Sequence, residues 1–331
     1  MSLPVYTIDI YNSKRMPSYV LLEKNGEHYK QLDIFFDTKE QAKHFAKKKG
    51  LKLATSRYMS NTGHSYNLSR KDIENSIFEG DCLEVLKRFP NNSIDMVLCD
   101  LPYGTTHNKW DSVIDLDKLW FEYNRVVKPN GAIVLTSQGI FTAKLILSNE
   151  KFFKYKLSWE KSKPTNFLNA KKQPLRKHED VCIFYRKQPI YNPQMKLGMP
   201  YDKGIRKDQL SGSYGNFKPQ HIKSSGERYP TDVVYFKTAE SEGKVWHPTQ
   251  KPIELARYLV RTYTNPSDIV LDNSFGSGSF LISAVLEGRF FCGIEKNEDV
   301  HLFKKDAIDY IEVANERLNN IGENINIKLY R

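Results

Sequence analysis

Nowhere in this chain do 18 apolar residues run together, which argues against a membrane-spanning helix. The first residues, MSLPVYTIDIYNSKRMP, lack a basic segment leading into an apolar run, so no secretory leader is expected. Cysteine is scarce. Cys82, Cys99, Cys182 and Cys292 are scattered, form no CxxC pair and each lie among apolar neighbours. They read as reduced core thiols, so neither a disulfide nor a metal site is expected and the cytoplasm is the default compartment. Acids are outnumbered, 39 Asp and Glu against 50 Lys and Arg, giving a net charge of +11. A basic balance favours a polyanionic partner through phosphate contacts and counterion release. From Lys151 to Lys177 nine Lys or Arg face a single acid, Glu160, with Phe152, Phe153, Tyr155, Trp159 and Phe167 interleaved. Cations and aromatics together suit phosphates and bases; the plainer alternative is a solvated sheet edge.

With 331 residues, 40% of them hydrophobic, there is enough chain for one large domain and an appendage. Residues 1–70 look like that appendage, a small α+β unit. PVYTIDIY and SYVLLEK alternate as strands do. DTKEQAKHFAKKKG reads as a helix capped by Asp37 or Thr38, striped by Ala42, Phe45 and Ala46, and stopped at Gly50. SRYMSNTGHSYNLSRKD is polar and linker-like, and no internal repeats are evident. From Ile77 strands and helices alternate. SIFEGD, SIDMVLCD and AIVLTS read as strands, CLEVLKRF and residues 116–127 as helices, with KPNG ending the second. FTAKLILSN follows as a helix, YKLSWEK and DVCIFYRK as strands. This rhythm predicts an α/β fold: a mostly parallel, doubly wound sheet with an antiparallel edge and ligands at the strand carboxyl ends. Residues 76–189 form one half. Residues 190–245, rich in Gly, Lys, Ser and Pro, break the rhythm and read as a functional or disordered insertion. Residues 246–331 supply the second half, where Pro252 opens a helix, Leu255, Leu259, Val260 and Tyr263 make its apolar face, and DIVLDNSF, SFLISAVLEG and RFFCGIEKN complete a strand–helix–strand unit.

The chemistry concentrates at two places. In DIVLDNSFGSGSFLISAVLEGRFFCGIE a buried strand ends in Asp272, a turn carries Gly276 and Gly278, and the next strand ends in Glu295. Glycines let the backbone approach a ligand, and an acid ending the following strand can accept bonds from both hydroxyls of a ribose. The spacing is not that of a dinucleotide GxGxxG, and no Walker lysine follows. Asp272 disfavours a pyrophosphate but suits a cationic cofactor such as S-adenosylmethionine. The second place is CDLPYGTT, where an apolar strand delivers Asp100 to its carboxyl end and Pro102 stiffens the turn. His107, Asn108, Lys109 and Trp110 follow as a loop over that end, with Trp110 packing or wedging. His178 and Glu179 read as a structural pair ahead of a strand.

GDCLEVL, an Asp-x-Pro-Tyr tetrapeptide, HPTQKP and an FxGxG turn follow one another over residues 76–300, with the candidate target-recognition region between the tetrapeptide and the glycine turn, and make the chain resemble the DNA amino-methyltransferases in their β arrangement. That resemblance implies a Rossmann-like methyltransferase fold, S-adenosylmethionine as cofactor and double-stranded DNA as substrate. It implies Phe275, Gly276 and Gly278 as the cofactor loop, with Ser274, Ser277 and Ser279 beside them. Asp272 would sit by the cationic end, Glu295 on the ribose hydroxyls, and Asp81 with Cys82 near the adenine or methionine end. Thr249 and Lys251 would support the methionine moiety, whose carboxylate suits a lysine and a helix N-terminus. Asp100 and the Leu101 carbonyl would each accept an N–H of the target amino group, stabilising charge as methyl transfers. Tyr103 would stack on a base extruded from the duplex. Leu101 stands where proline is usual, which predicts a looser turn with the carbonyl intact. Lys163, Lys171, Lys172, Arg206, Lys207 and Lys218 are the candidate DNA contacts, and residues 190–245 the candidate reader of target sequence, ordering on phosphates.

In this family Asp-x-Pro-Tyr goes with adenine N6 and Ser-Pro-Pro-Tyr with cytosine N4, so the reading is a site-specific adenine-N6 DNA methyltransferase of the kind found in restriction–modification. Cytosine N4, a catalytically silent DNA-binding protein, and methylation of RNA or protein are the alternatives. The tetrapeptide keeps both its acid and its aromatic, which disfavours the silent protein. Dimers occur in the β arrangement, so a homodimer is allowed. The compartment is a bacterial cytoplasm, or a host cytoplasm for a phage-encoded chain. The appendage is a candidate DNA-contact or dimerisation element.

Overall fold

The computed structural model describes residues 5–12, 17–25, 28–36, 45, 47–49, 52–53, 68–104, 113–205, 220–297, 301–303, 306–321 and 325–330. Its centre is a nine-stranded sheet. In chain order the strands are β1 (Ser76–Glu79), β2 (Ile94–Cys99), β3 (Val127–Ser137), β4 (Phe153–Thr165), β5 (Arg176–Phe184), β6 (Val233–Phe236), β7 (Ile269–Asp272), β8 (Phe290–Glu295) and β9 (Lys328–Tyr330). They lie side by side as β6-β4-β5-β3-β2-β7-β8-β1-β9. Every neighbouring pair is parallel except β3·β5 and β4·β5. The antiparallel element is therefore β5 alone, set two strands in from one edge.

Seven helices are labelled α1 (Arg70–Ile73), α2 (Cys82–Leu86), α3 (Leu116–Val126), α4 (Ile140–Ser148), α5 (Ile253–Tyr263), α6 (Ser279–Leu286) and α7 (Tyr310–Asn319). The apolar positions of α1–α4 pack on one face of the sheet with Val97, Cys99, Ile133 and Leu135. Those of α5–α7 pack on the other with Met96, Leu98, Val134 and Val270. Adjacent residues of β2 thus feed opposite cores, and all six of its residues are buried, as a central parallel strand requires. Helix starts follow local chemistry. Asp115 accepts the Lys118 amide at 3.2 Å, and Asp309 accepts those of Ile311 and Glu312 at 2.8 and 3.1 Å, satisfying first-turn donors. Among the described residues no helix is long and apolar enough to cross a membrane.

The strand–helix rhythm from Ile77 to Glu295 appears as expected, with local differences. KPNG does not form a loop but lies inside β3, whose residue Gly131 sits so close to Asp95 that a Cβ would come 2.7 Å from its carbonyl oxygen. The insertion at 190–245 contains Lys196–Leu197 paired with Glu227–Arg228, Tyr201–Ile205 paired with His221–Ser224, and β6, which joins the main sheet beside β4. Helix α7 and strand β9, elements that the sequence reading did not pick out, lie within the second half after Glu295. In the appendage, strands Val5–Asn12, Pro17–Asn25 and His28–Phe36 form an antiparallel sheet, with Lys52–Leu53 parallel to the first. The expected helix has Phe45, Lys47 and Lys48 in helical conformation, while its proposed caps Asp37, Thr38 and Gly50 lie outside the described residues.

Candidate active site

From β2 the chain proceeds to β3 on one side of the sheet; from β7 it proceeds to β8 on the other. β2 and β7 are neighbours, so a topological switch point lies between them, and ligands of such sheets bind beyond the strand carboxyl ends there. Asp100 follows β2 and Asp272 ends β7. The two motifs meet directly, because the Ser274 hydroxyl donates to the Asp100 carbonyl at 3.1 Å across 174 residues of sequence. A cleft of about 770 Å³ opens above, lined by Asp81, Asp100, Tyr103, Lys251, Asp272, Gly276 and Glu295 among others.

The Asp100 carboxylate is held by three donors. Tyr103 gives its hydroxyl to Oδ1 at 2.8 Å, Thr136 gives its hydroxyl to the same oxygen, and the Lys251 ammonium lies 2.7 Å from Oδ2. Lys251 also lies 3.4 Å from Glu179 Oε2, and Glu179 Oε1 accepts from Lys161 at 3.1 Å. The result is an alternating chain of charges, Asp100, Lys251, Glu179 and Lys161, in a largely dry wall. Burial disfavours the Lys251 ammonium, but the Asp100 and Glu179 carboxylates outweigh it and hold its pKa above the usual lysine value. Burial likewise opposes the Glu179 charge, yet Lys251 and Lys161 bring its pKa below the ordinary value. The Tyr103 hydroxyl is pushed well up by burial and by Asp100, so it stays a donor. One face of its ring stacks on Phe141, centroids 5.0 Å apart. The Leu101 side chain is buried in the core that α1–α4 share with this face of the sheet, so leucine at this position ties the turn into that core.

The glycine turn forms the opposite wall. Gly276 and Gly278 adopt φ of +51° and +79°, the left-handed region that favours glycine. A Cβ on Gly278 would meet that of Ala314 at 2.9 Å. Glu295 Oε2 accepts the Gly276 amide at 2.8 Å and Oε1 the Lys296 amide at 3.1 Å. Asp272, only 2% exposed, accepts the Ser274 amide at 3.3 Å. Burial pushes its carboxyl up to about 8 and also raises that of Glu295. A wall with two such acids and a close-approaching backbone can take a cationic ligand carrying hydroxyls.

The remaining expected residues divide as follows. Asp81 caps α2 through the Leu83 amide at 2.9 Å and lines the cleft. Cys82 is buried there with its thiol raised to about 12 by burial, which makes it no nucleophile. Phe275, Ser277 and Ser279 are buried in the glycine turn, and Ser277 donates to Gln250 at 3.0 Å. Thr249 is exposed at the cleft rim, its hydroxyl 3.0 Å from His247 Nδ1. Lys163, Lys171 and Lys172 are exposed where β4 turns into β5. Arg206, Lys207, Lys218 and the loop from His107 to Trp110 lie outside the described residues. Glu179, which the sequence presented as structural, lines the cleft with Lys161, Gln138 and Arg176. Neither Lys161 nor Thr136 carried a signal of its own, and only Lys161 lay in a stretch already singled out.

Comparison with known proteins agrees with this geometry. The model of the DNA methylase family, the N6 and N4 methyltransferases, matches residues 94–305. The chain is 27% identical to the type II methyltransferase M.HinfI of Haemophilus influenzae, over 77% of its own length and 71% of that protein's. It is 25% identical to the type II methyltransferase M2.MboI of Moraxella bovis, over 74% and 88%. Among solved structures it resembles the M1.HpyAVI–SAM complex, with a TM-score of 0.51 and 22% identity, covering 74% of this chain and 98% of that one. It likewise resembles a putative DNA modification methylase of Thermus thermophilus, with a TM-score of 0.51 and 20% identity over 78% and 100%. These structural likenesses establish the Rossmann-like fold, and the family match covers the β2 carboxyl end and the glycine turn alike: the chain belongs to the DNA methylase family of N6 and N4 amino-methyltransferases.

Proposed function

We propose that this DNA methyltransferase modifies adenine N6 at specific sites in duplex DNA, on a base turned out of the helix. The observation that carries the reading is the Asp100 carboxylate, held by Tyr103, Thr136 and Lys251 at the switch point beside Asp272 and Glu295. S-adenosylmethionine is the cofactor, and the residues present fit it. Asp272, whose carboxyl is pushed up to about 8 by burial, gains a compensating cation. Glu295 is oriented by the Gly276 and Lys296 amides to accept ribose hydroxyls. Gly276 and Gly278 let the backbone come close, and Asp81 with Cys82 borders the same pocket. When bound, the cofactor supplies a methyl group on a cationic sulfur.

The residues of this chain prepare the acceptor. An exocyclic amino nitrogen is a poor nucleophile because its lone pair is delocalised into the ring. Asp100 and the Leu101 carbonyl each accept one N–H, which favours tetrahedral geometry and stabilises the positive charge that develops on nitrogen. Tyr103, stacked on Phe141 and with the Lys251 ammonium 5.4 Å from its ring centroid, offers its ring to the base; an amino group inside a stack cannot be approached at the required angle. Lys251 is assigned to Asp100 as a positioning residue, shared with Glu179 so that it does not neutralise Asp100 alone, while Thr249 remains at the methionine end. Lys163, Lys171, Lys172, Arg206, Lys207 and Lys218 contact phosphates, residues 190–245 read the target, and the chain works in the cytoplasm.

The test is transfer of labelled methyl groups to duplex DNA, RNA and protein, followed by digestion of the DNA to nucleosides. N6-methyladenine, abolished in Asp100→Ala, is the expected result. N4-methylcytosine in its place would move the reading to cytosine, and label in RNA or protein alone would overturn it.

A further inference from the structure

Of the five aromatics interleaved among the cations of residues 151–177, four are claimed by the fold. Trp159 is buried, with its indole N–H donating to the Phe236 carbonyl at 3.0 Å. Phe152, Phe153 and Tyr155 pack against the two cores. Phe167 is different. It stands 76% exposed at the tip of the β4–β5 hairpin, next to Leu168 at 84%. The tip has a defined shape: Asn166 takes a left-handed φ of +70°, Phe167–Asn169 form a single 3-10 turn, and Asn169 donates to Asn166 at 2.7 Å. The pair Thr165↔Arg176 closes the hairpin below it, and both of those residues line the cleft that holds Asp100. Between residues 163 and 177 the chain carries Lys163, Lys171, Lys172, Arg176 and Lys177 and no acid.

We propose that Phe167 and Leu168 form an apolar wedge that enters the base stack of the duplex beside the extruded target, while Lys171 and Lys172 hold the adjoining phosphates. This rests on the reading that a base is turned out into the cleft. Two large apolar side chains offered to water at the end of an ordered turn need an apolar surface, and the cations around them select one surrounded by anions. Stacked bases between phosphates meet both demands, and apolar side chains of this kind separate base steps in bent or opened duplexes. A second copy of the chain does not fit, because it would set the same acid-free run of cations against itself. The wedge fills the space that the departing base leaves, so the stack does not close behind it.

The test uses the full chain and its recognition sequence, read first from the modified positions of plasmid DNA recovered from cells expressing it. Phe167→Ala/Leu168→Ala is compared with wild type on a fully paired duplex and on one with an abasic position opposite the target. The fluorescence of 2-aminopurine at the target position reports extrusion. On paired DNA the variant should lose about tenfold or more in kcat/KM together with the fluorescence rise, as a lost aid to unstacking requires. On the abasic duplex, whose target opens at less cost, it should approach wild type. Phe167→Trp/Leu168→Met should keep most of the activity, and unchanged thermal unfolding and cofactor binding would show that the fold is intact. Equal activity of the alanine variant on paired DNA, or an equal loss on both duplexes, would overturn the wedge. So would a change from dimer to monomer on sedimentation, which would give the tip to a second copy. If wild type modifies no DNA, the reading beneath the proposal fails, which is visible before any variant is compared.

Discussion

Glu179→Gln is the sharpest perturbation of the catalytic wall. Lys161 is 3% exposed and its ammonium lies 3.1 Å from Glu179, which also faces Lys251 at 3.4 Å. Removing that carboxylate takes the paired charge from Lys161, which keeps the Thr165 hydroxyl at 3.3 Å, and leaves Lys251 to Asp100 alone. Breaking a buried pair on one side costs about 3–5 kcal/mol, a fall in melting temperature of about 10 °C for a domain of this size. Lys161→Met should cost less, since Glu179 keeps Lys251. In Glu179→Gln/Lys161→Met the uncompensated ammonium is gone, so the double variant should be more stable than Glu179→Gln, with a coupling of about 1–3 kcal/mol. Urea unfolding of the four proteins closes the cycle. A second readout separates scaffold from chemistry. With Glu179 uncharged, Lys251 binds Asp100 more tightly and competes with the incoming amino group, so kcat should fall while cofactor affinity holds. A double variant no more stable than Glu179→Gln would refute the charge chain, and an unchanged kcat in folded Glu179→Gln would refute its link to Asp100.

Three further outcomes follow from the same geometry. Thr136→Val removes one donor from the Asp100 carboxylate at nearly constant volume, and should lower kcat by about tenfold to a hundredfold in steady-state methylation without changing cofactor affinity. Gly278→Ala puts a Cβ 2.9 Å from that of Ala314 at φ +79°, and should destabilise the protein by about 2 kcal/mol or more, measured by denaturant unfolding. Asp272 has its carboxyl raised to about 8, so below that pH it is protonated in the free protein, and a cationic sulfonium favours its ionised form. Binding then releases a proton, and affinity for S-adenosylmethionine should rise with pH and level off above about 8. Neutral-sulfur S-adenosylhomocysteine should show a weaker slope by calorimetry, and Asp272→Asn should remove the difference between the two ligands; equal slopes in the wild-type protein would discard this role.

What the sequence revealed follows from which interactions are local. β2 and β7 announce themselves because a central parallel strand is apolar at nearly every position, Asp95 in β2 aside, and an acid at the end of such a run is conspicuous. Asp100 and Asp272 were legible for that reason. The turn at Gly276 and Gly278 was legible because backbone conformation there restricts the residue type. Lys161 and Glu179 were not, since their meeting depends on the β4–β5 register, which pairs Trp159 with Glu179 and Glu160 with His178. One step of slip would turn Lys161 to the other face, and nothing in a run of lysines and aromatics distinguishes the one that points inward. The same limit hid the division of aromatics: Trp159 and Phe167 look alike among cations in sequence, yet one is core and the other surface. β6 escaped because its four residues lie in a segment without period, and its strand form comes from pairing with β4.

The switch point explains why two motifs so distant in sequence can be read together at all. A carboxylate on a surface loop would be free to reorient, and its hydrogen bonds would gain little over those to water. Asp100 instead follows a strand buried on both faces, its own carbonyl is tied to Ser274, and its side chain is fixed from β3 by Thr136 and from the turn before α5 by Lys251. Each of these contacts comes from a different segment, so the carboxylate's position is set by the sheet and not by its own loop. This gives Leu101 a physical role: its side chain is drawn into the core, which holds the backbone that presents its carbonyl. Replacing Leu101 by Ala should therefore harm the turn more than replacing it by Pro, which keeps an apolar body and a fixed φ. If Leu101→Ala retained the wild-type kcat while Leu101→Pro lost it, the anchoring of this turn through the core would be wrong.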